Sequence, residues 1–91
     1  MKRSIVDFLR TGRNNAVSSD ELCFLTNLPE RAIQREILEA RIHGELIISD
    51  EAGYYLPADD SEIRQYAIRR KAYIATAQKA LRPFLNALRG R

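Results

Sequence analysis

Among 91 residues the sequence holds one cysteine, one histidine and no tryptophan. Cys23 alone cannot close an internal disulfide, and with His43 it leaves a structural zinc site short of its His and Cys ligands. No uninterrupted apolar stretch approaches the roughly 18 residues of a membrane span. The segment Met1-Lys2-Arg3-Ser4-Ile5-Val6-Asp7 reaches an acid before an apolar run of signal-peptide length develops, so secretion is not expected and the cytoplasm is the expected compartment. No Gly-rich phosphate loop occurs, and His43 has no thiol or hydroxyl partner in a recognisable catalytic spacing. The expectation is a binding protein with no cofactor, not an enzyme.

The residues present, 45% hydrophobic and 30% charged, have the balance of a globular chain, and the length suits one domain with an appended element. The net charge of +3 conceals an uneven distribution. Residues 1–17 carry +3, residues 18–57 carry −5 and residues 58–91 carry +5. Basic ends around an acidic middle suit either nucleic acid held by the ends or mutual neutralisation on folding or assembly.

Periodicity and punctuation divide the chain into elements. Ser4 to Arg10 reads as a first helix, with Ile5, Phe8 and Leu9 on one stripe, ended by Thr11-Gly12-Arg13-Asn14-Asn15. Ala16-Val17 is short and extended. Ser18 opens a second helix, to about Thr26, through a capping box with Glu21, and Val17 and Leu22 occupy hydrophobic-staple positions. Leu22, Leu25 and Cys23 are its inward-facing candidates. After Asn27-Leu28, Pro29 suits the first turn of a third helix that runs to about His43. Ile33, Ile37 and Ala40 form its core stripe, and Gly44 is its C-terminal cap. Glu45 to Ser49, a turn at Asp50-Glu51-Ala52-Gly53, and Tyr54-Tyr55-Leu56 read as a β-hairpin. Tyr54 and Tyr55 alternate across the strand, which places one inside and one outside. Asp59 to Glu62 supply a cap and an acidic first turn, and helix-forming sequence then continues to about Leu81. Pro83 is expected to kink or end this helix. The fold class is mainly α with a small β-hairpin, one core shared by Ile5, Phe8, Leu22, Leu25, Ile33, Ile37 and Ile47, and a long C-terminal helix.

Residues 3–57, with Ser18-x-x-Glu-Leu22, Thr26-Asn27-Leu28-Pro29-x-Arg31-x-Ile33-x-x-x-Ile37 and Gly44-x-Leu46-Ile47, resemble the winged helix-turn-helix family. Gly53 to Pro57 before a long helix is further similar to the small winged-helix proteins of bacterial prophages. The resemblance implies a domain at 1–57 and an appended helix at 58–91. It also implies a third helix that enters the DNA major groove. With Ile33 and Ile37 turned inward, Glu30, Arg31, Gln34, Arg35 and Leu38 remain on other faces. Arg31, Gln34 and Arg35 suit base edges, since Arg pairs with guanine and Gln with adenine. Alternatively these form a solvated face with Glu36 and Glu39 as partners. Arg69, Arg70 and Lys71 are the candidate phosphate contacts. The hairpin tip departs from the family pattern, because Asp50 and Glu51 would repel phosphate.

The last helix is longer than a 55-residue domain can cover. Ile63, Tyr66, Tyr73, Ala77, Leu81, Phe84 and Leu88 approximate a coiled-coil stripe interrupted at Arg70. A homodimer is one solution, and a helix folded back on its own domain is the other. Two functions follow: a dimeric double-stranded DNA binder, either a small regulator or a replication or recombination accessory, or a protein–protein interaction module with a protein partner.

Overall fold

A computed structural model describes residues 4–90. Two 3-10 turns, Ile5–Phe8 and Arg13–Asn15, precede α1 (Ser19–Thr26) and α2 (Glu30–Ile42). The hairpin strands β1 (Ile48–Asp50) and β2 (Gly53–Tyr55) follow, and α3 (Asp60–Arg89) ends the chain. The expected class, mainly helical with a small antiparallel hairpin and a long C-terminal helix, is what the chain adopts.

The first element is shorter than Ser4 to Arg10 and is not α-helical. Ser4 caps it: its hydroxyl accepts from the Val6 N–H and the Asp7 carboxylate accepts from the Ser4 N–H. After Phe8 the backbone is drawn alongside the hairpin. Leu56 N–H donates to the Arg10 carbonyl at 2.9 Å, and Gly12 N–H donates to the Leu56 carbonyl at 2.7 Å. A longer helix would forfeit these bonds, and an isolated helix of this length has little stability of its own.

Ser18 caps α1 as expected, accepting from the Glu21 N–H. The Glu21 carboxylate, read as the reciprocal half of that box, instead pairs with Arg10 at 2.9 Å. Asn27 ends α1 in the left-handed conformation, at φ 57°. Pro29 stands one residue outside α2, where its carbonyl accepts the first helical N–H groups, those of Ala32 and Ile33. Gly44 follows α2 at φ +100°, a value only glycine adopts freely.

The core joins Ile5, Leu9, Val17, Leu22, Ile33, Ile37 and Ile47, with Phe8, Cys23, Ala40 and Tyr54 half-buried against it. Leu25 was expected there, but it is 44% exposed. It lies three residues from Leu22, about 300° round the helix, and α1 is too short and too peripheral to bury two adjoining rows. The hairpin register pairs Ile48 with Tyr55, Ser49 with Tyr54 and Asp50 with Gly53. It is displaced from the expected strands because Glu45 and Leu46 complete the turn out of α2, where Glu45 N–H donates to the Ala40 carbonyl. Neither tyrosine is exposed: Tyr55 is buried, and Tyr54 is half-covered by a two-bond bridge to Val17, both bonds 2.8 Å long.

Gly53 makes that bridge possible. Its φ is +124°, and a Cβ there would stand 2.5 Å from the Val17 carbonyl oxygen. Gly53→Ala is therefore expected to cost about 2 kcal/mol or more, from strain and the loss of close backbone approach, in urea unfolding followed by circular dichroism.

The last helix continues through Pro83 to Arg89 and neither ends there nor stops at Leu81. Proline removes the donor for the Lys79 carbonyl, but this stretch is exposed, so water can take that role, and the flanking Ala, Leu and Arg are strong helix formers. Thirty residues at about 1.5 Å each give roughly 45 Å, most of the molecule's 51 Å longest extent. Only Glu62, Ile63 and Tyr66 of α3 are half-buried, and every described residue from Ala67 onward is exposed. The helix does not fold back on the rest of the chain. No described helix is long and apolar enough to cross a membrane.

Candidate nucleic-acid interface

α2 presents its buried residues, Ile33 and Ile37, to the core and leaves Glu30, Arg31, Gln34, Arg35 and Leu38 exposed. Arg31, Gln34, Arg35 and Leu38 follow one another at three- and four-residue steps, so they share a face. Among the described residues Arg31 and Arg35 have no ion pair, and Gln34 has no hydrogen bond. Pairing of these arginines with Glu36 or Glu39 is thus absent. Glu30 accepts a hydrogen bond from the Ser19 hydroxyl at 3.3 Å, which ties it to the start of α1 and away from that group. The outward face becomes apolar toward its end, at Leu38 and Ile42, the latter 72% exposed.

Arg69, Arg70 and Lys71 do not act as one cluster. Consecutive helical residues diverge by about 100°, so the three point in different directions. Arg69 lies over the Tyr66 ring and 3.9 Å from the Asp50 carboxylate. Arg70 lies 5.1 Å from the Tyr73 ring centroid. Lys71 is the exposed member with neither kind of contact.

The acid expected to repel phosphate at the hairpin tip is occupied. The Asp50 side chain is only 4% exposed. Its carboxylate accepts from the Ala52 N–H at 2.8 Å, the Tyr55 hydroxyl at 2.9 Å and Arg13 Nε at 3.0 Å. Burial opposes its ionisation, yet these hydrogen bonds and the nearby guanidinium outweigh burial and hold the carboxyl below its usual range. Tyr55 shifts the other way: burial, then its bond to Asp50, favours the neutral phenol. Only Glu51 remains an exposed acid at the tip.

Two residues fasten the pieces together, and both escaped the sequence reading. Glu62 accepts from the Arg13 N–H at 3.1 Å and from the Ala58 N–H at 2.7 Å, which fixes the start of α3 against the second 3-10 turn. Arg41 donates to the Ile47 carbonyl at 2.9 Å and to the Ser49 hydroxyl at 3.1 Å, with its guanidinium 5.3 Å from the Tyr66 ring centroid. Arg41 was detectable as the charged residue that continues the Ile33–Ile37 row, where another apolar side chain is expected. Glu62 carried no comparable signal, since an acid in a first helical turn is ordinary.

Of the proposed dimer stripe, Ile63 and Tyr66 begin beside the body of the protein, and Tyr73, Ala77, Leu81, Phe84 and Leu88 are exposed along the projecting helix. Comparison with protein-family models, curated proteins and solved structures finds no match.

Proposed function

We propose that the chain binds double-stranded DNA as a homodimer in the cytoplasm, in the manner of a small prophage-type winged-helix regulator or replication and recombination accessory. Binding, with neither catalysis nor a cofactor, is its activity. The observation that carries this reading is the α2 face on which Arg31, Gln34 and Arg35 are exposed together and uncommitted to other described residues. Long donors held on a rigid helix suit major-groove base edges. The sequestration of Asp50 supports it, because one of the two acids at the hairpin tip is neutralised internally by Arg13. Lys71, more than Arg69 or Arg70, is the phosphate contact offered by α3.

Fluorescence anisotropy with labelled duplexes across a salt series tests the reading. Arg31→Ala and Arg35→Ala are each expected to weaken specific binding by about 1–3 kcal/mol. Lys71→Ala should weaken all sequences alike and lower the salt slope by about one unit. No affinity above background for pooled genomic duplexes at about 50 mM salt, where electrostatic attraction is strongest, would falsify the proposal.

A second reading, an interaction module for a protein partner, is favoured by the exposed Leu38 and Ile42 at the end of the same face. Glu51→Lys separates the two. It is expected to raise non-specific DNA affinity severalfold where the hairpin tip approaches the duplex, and to leave that affinity unchanged where the tip faces a protein. Anisotropy at low salt reads the difference.

A further inference from the structure

The free portion of α3 carries a stricter pattern than a general apolar stripe. Ile63, Ala67, Arg70, Ile74, Ala77, Leu81, Phe84 and Leu88 follow each other at alternating steps of four and three, the spacing of a coiled-coil seam. Tyr66 and Tyr73 flank it one position earlier. A helix in this form needs a partner, and the order of the seam residues specifies which one.

We infer that α3 pairs with α3 of a second copy in antiparallel orientation, about a two-fold axis between Ala75 and Thr76. This rests on the dimer reading above and adds its geometry. Reversing the seam about that point sets Ile63 level with Leu88 of the second copy, Ala67 with Phe84, Arg70 with Leu81 and Ile74 with Ala77. Each small residue then meets a large one, which is how a seam fills without voids. Tyr66 and Tyr73 likewise fall beside Ala87 and Ala80. Parallel pairing would stack Ala67 on Ala67, Ala77 on Ala77 and Phe84 on Phe84, leaving gaps and a bulge.

Charge selects the same orientation. From Ile63 to Gly90 the helix has seven basic residues and no acidic one, and Arg70 lies within the seam. Parallel pairing would face Arg70 with its own copy and align Arg69, Arg70 and Lys71 with the same trio. Antiparallel pairing separates the two Arg70 positions by about 16 Å along the axis, beyond the screening length of about 8–10 Å.

A third observation lies where the seam meets the body of the protein. An apolar groove of about 300 Å³ lies between the approach to β1 and the start of α3, lined by Leu46, Ile47, Ile48, Ile63, Tyr66 and Ala67 among others. Leu46 in its wall is 56% exposed. Antiparallel pairing delivers Phe84 and Leu88 of the second copy, 69% and 65% exposed, to the level of this groove. Parallel pairing would set the groove beside its own copy and leave both aromatic ends at the far tip. The two starts of α3, at Asp60, would be about 46 Å apart along the helix axis.

Spin labels at single cysteines, in a Cys23→Ala background, test the orientation by pulsed dipolar spectroscopy. Arg89→Cys labels the exposed end of α3 and Thr76→Cys its midpoint. The expected intermolecular distances are about 40 Å at position 89 and about 15–20 Å at position 76. Short distances at both positions would mean a parallel dimer and overturn the inference while leaving the dimer reading intact. No intermolecular coupling at either, with a monomer by light scattering, would overturn both. Leu46→Ser, outside α3, should weaken dimerisation at least tenfold in analytical ultracentrifugation; an unchanged dissociation constant would show that the groove receives nothing from the second copy.

Discussion

Asp50→Ala is expected to cost about 3 kcal/mol of folding stability, measured as a lowered urea midpoint with unchanged slope. The carboxylate gathers an N–H, a phenol and a guanidinium at 2.8–3.0 Å in a nearly closed site. Its removal discards charge-assisted hydrogen bonds worth about 1.5–3 kcal/mol and leaves the buried Tyr55 hydroxyl without its acceptor. Tyr55→Phe, which removes one donor, should cost about 1 kcal/mol. Arg13→Ala should cost less than Tyr55→Phe, because the guanidinium is half in solvent. A stability of about 5–15 kcal/mol is usual for a domain, so the alanine variant at Asp50 would lose roughly a fifth to three fifths of it.

The same group makes the fold's stability depend on pH on the acid side. Unfolded aspartate titrates near 3.9, and folded Asp50 lies lower because its hydrogen bonds and Arg13 outweigh burial. Its contribution is therefore present above about pH 4 and is lost as the pH falls through the depressed folded value. Tyr55 has the opposite sign. Burial and Asp50 raise its folded value above the usual 10, so its contribution is complete below about pH 10 and fades as the pH rises through the raised value. Asp50→Asn should flatten the acid limb of a stability–pH curve, since asparagine has no proton to gain there.

Local signals located most of the fold. Ser18 and Asp59 each accept the helical N–H three residues on, and Gly44 follows α2 in the conformation glycine favours. These rest on near-neighbour chemistry, which a linear reading captures. The errors arose where distant backbone decided the outcome. Leu9 and Arg10 read as the end of the first helix, yet the chain extends there because Leu56, more than forty residues on, supplies the hydrogen-bond partner of Arg10 and Gly12. Leu25 has the spacing of a core residue, but it stays 44% exposed. The site behaved likewise. The exposed row of Arg31, Gln34 and Arg35 follows from the position of Ile33 and Ile37, so helix geometry alone revealed it. Asp50 looked like free charge at a turn, because its partners, Arg13 and Tyr55, come from either side of it in the chain.

Leu81→Asp is expected to convert the dimer to monomer, raising the dissociation constant about a thousandfold, equivalent to about 4 kcal/mol. Leu81 is half-exposed in the single chain, within an apolar face that carries Ile74, Phe84 and Leu88. A carboxylate there costs the lone helix little, whereas pairing would strip its water without supplying a compensating hydrogen bond. Thermal unfolding of the body should hardly change, because no described residue from Ala67 onward is buried against it. DNA provides the further readout. In the proposed DNA reading a two-half-site duplex engages both copies of α2, so this variant should retain single-site affinity and lose the gain from joining two sites, about 10²–10⁴-fold. A variant that is monomeric by light scattering yet binds the double site as tightly as the unmodified protein would detach α3 pairing from DNA recognition. The protein-docking reading of the exposed helix would then take its place.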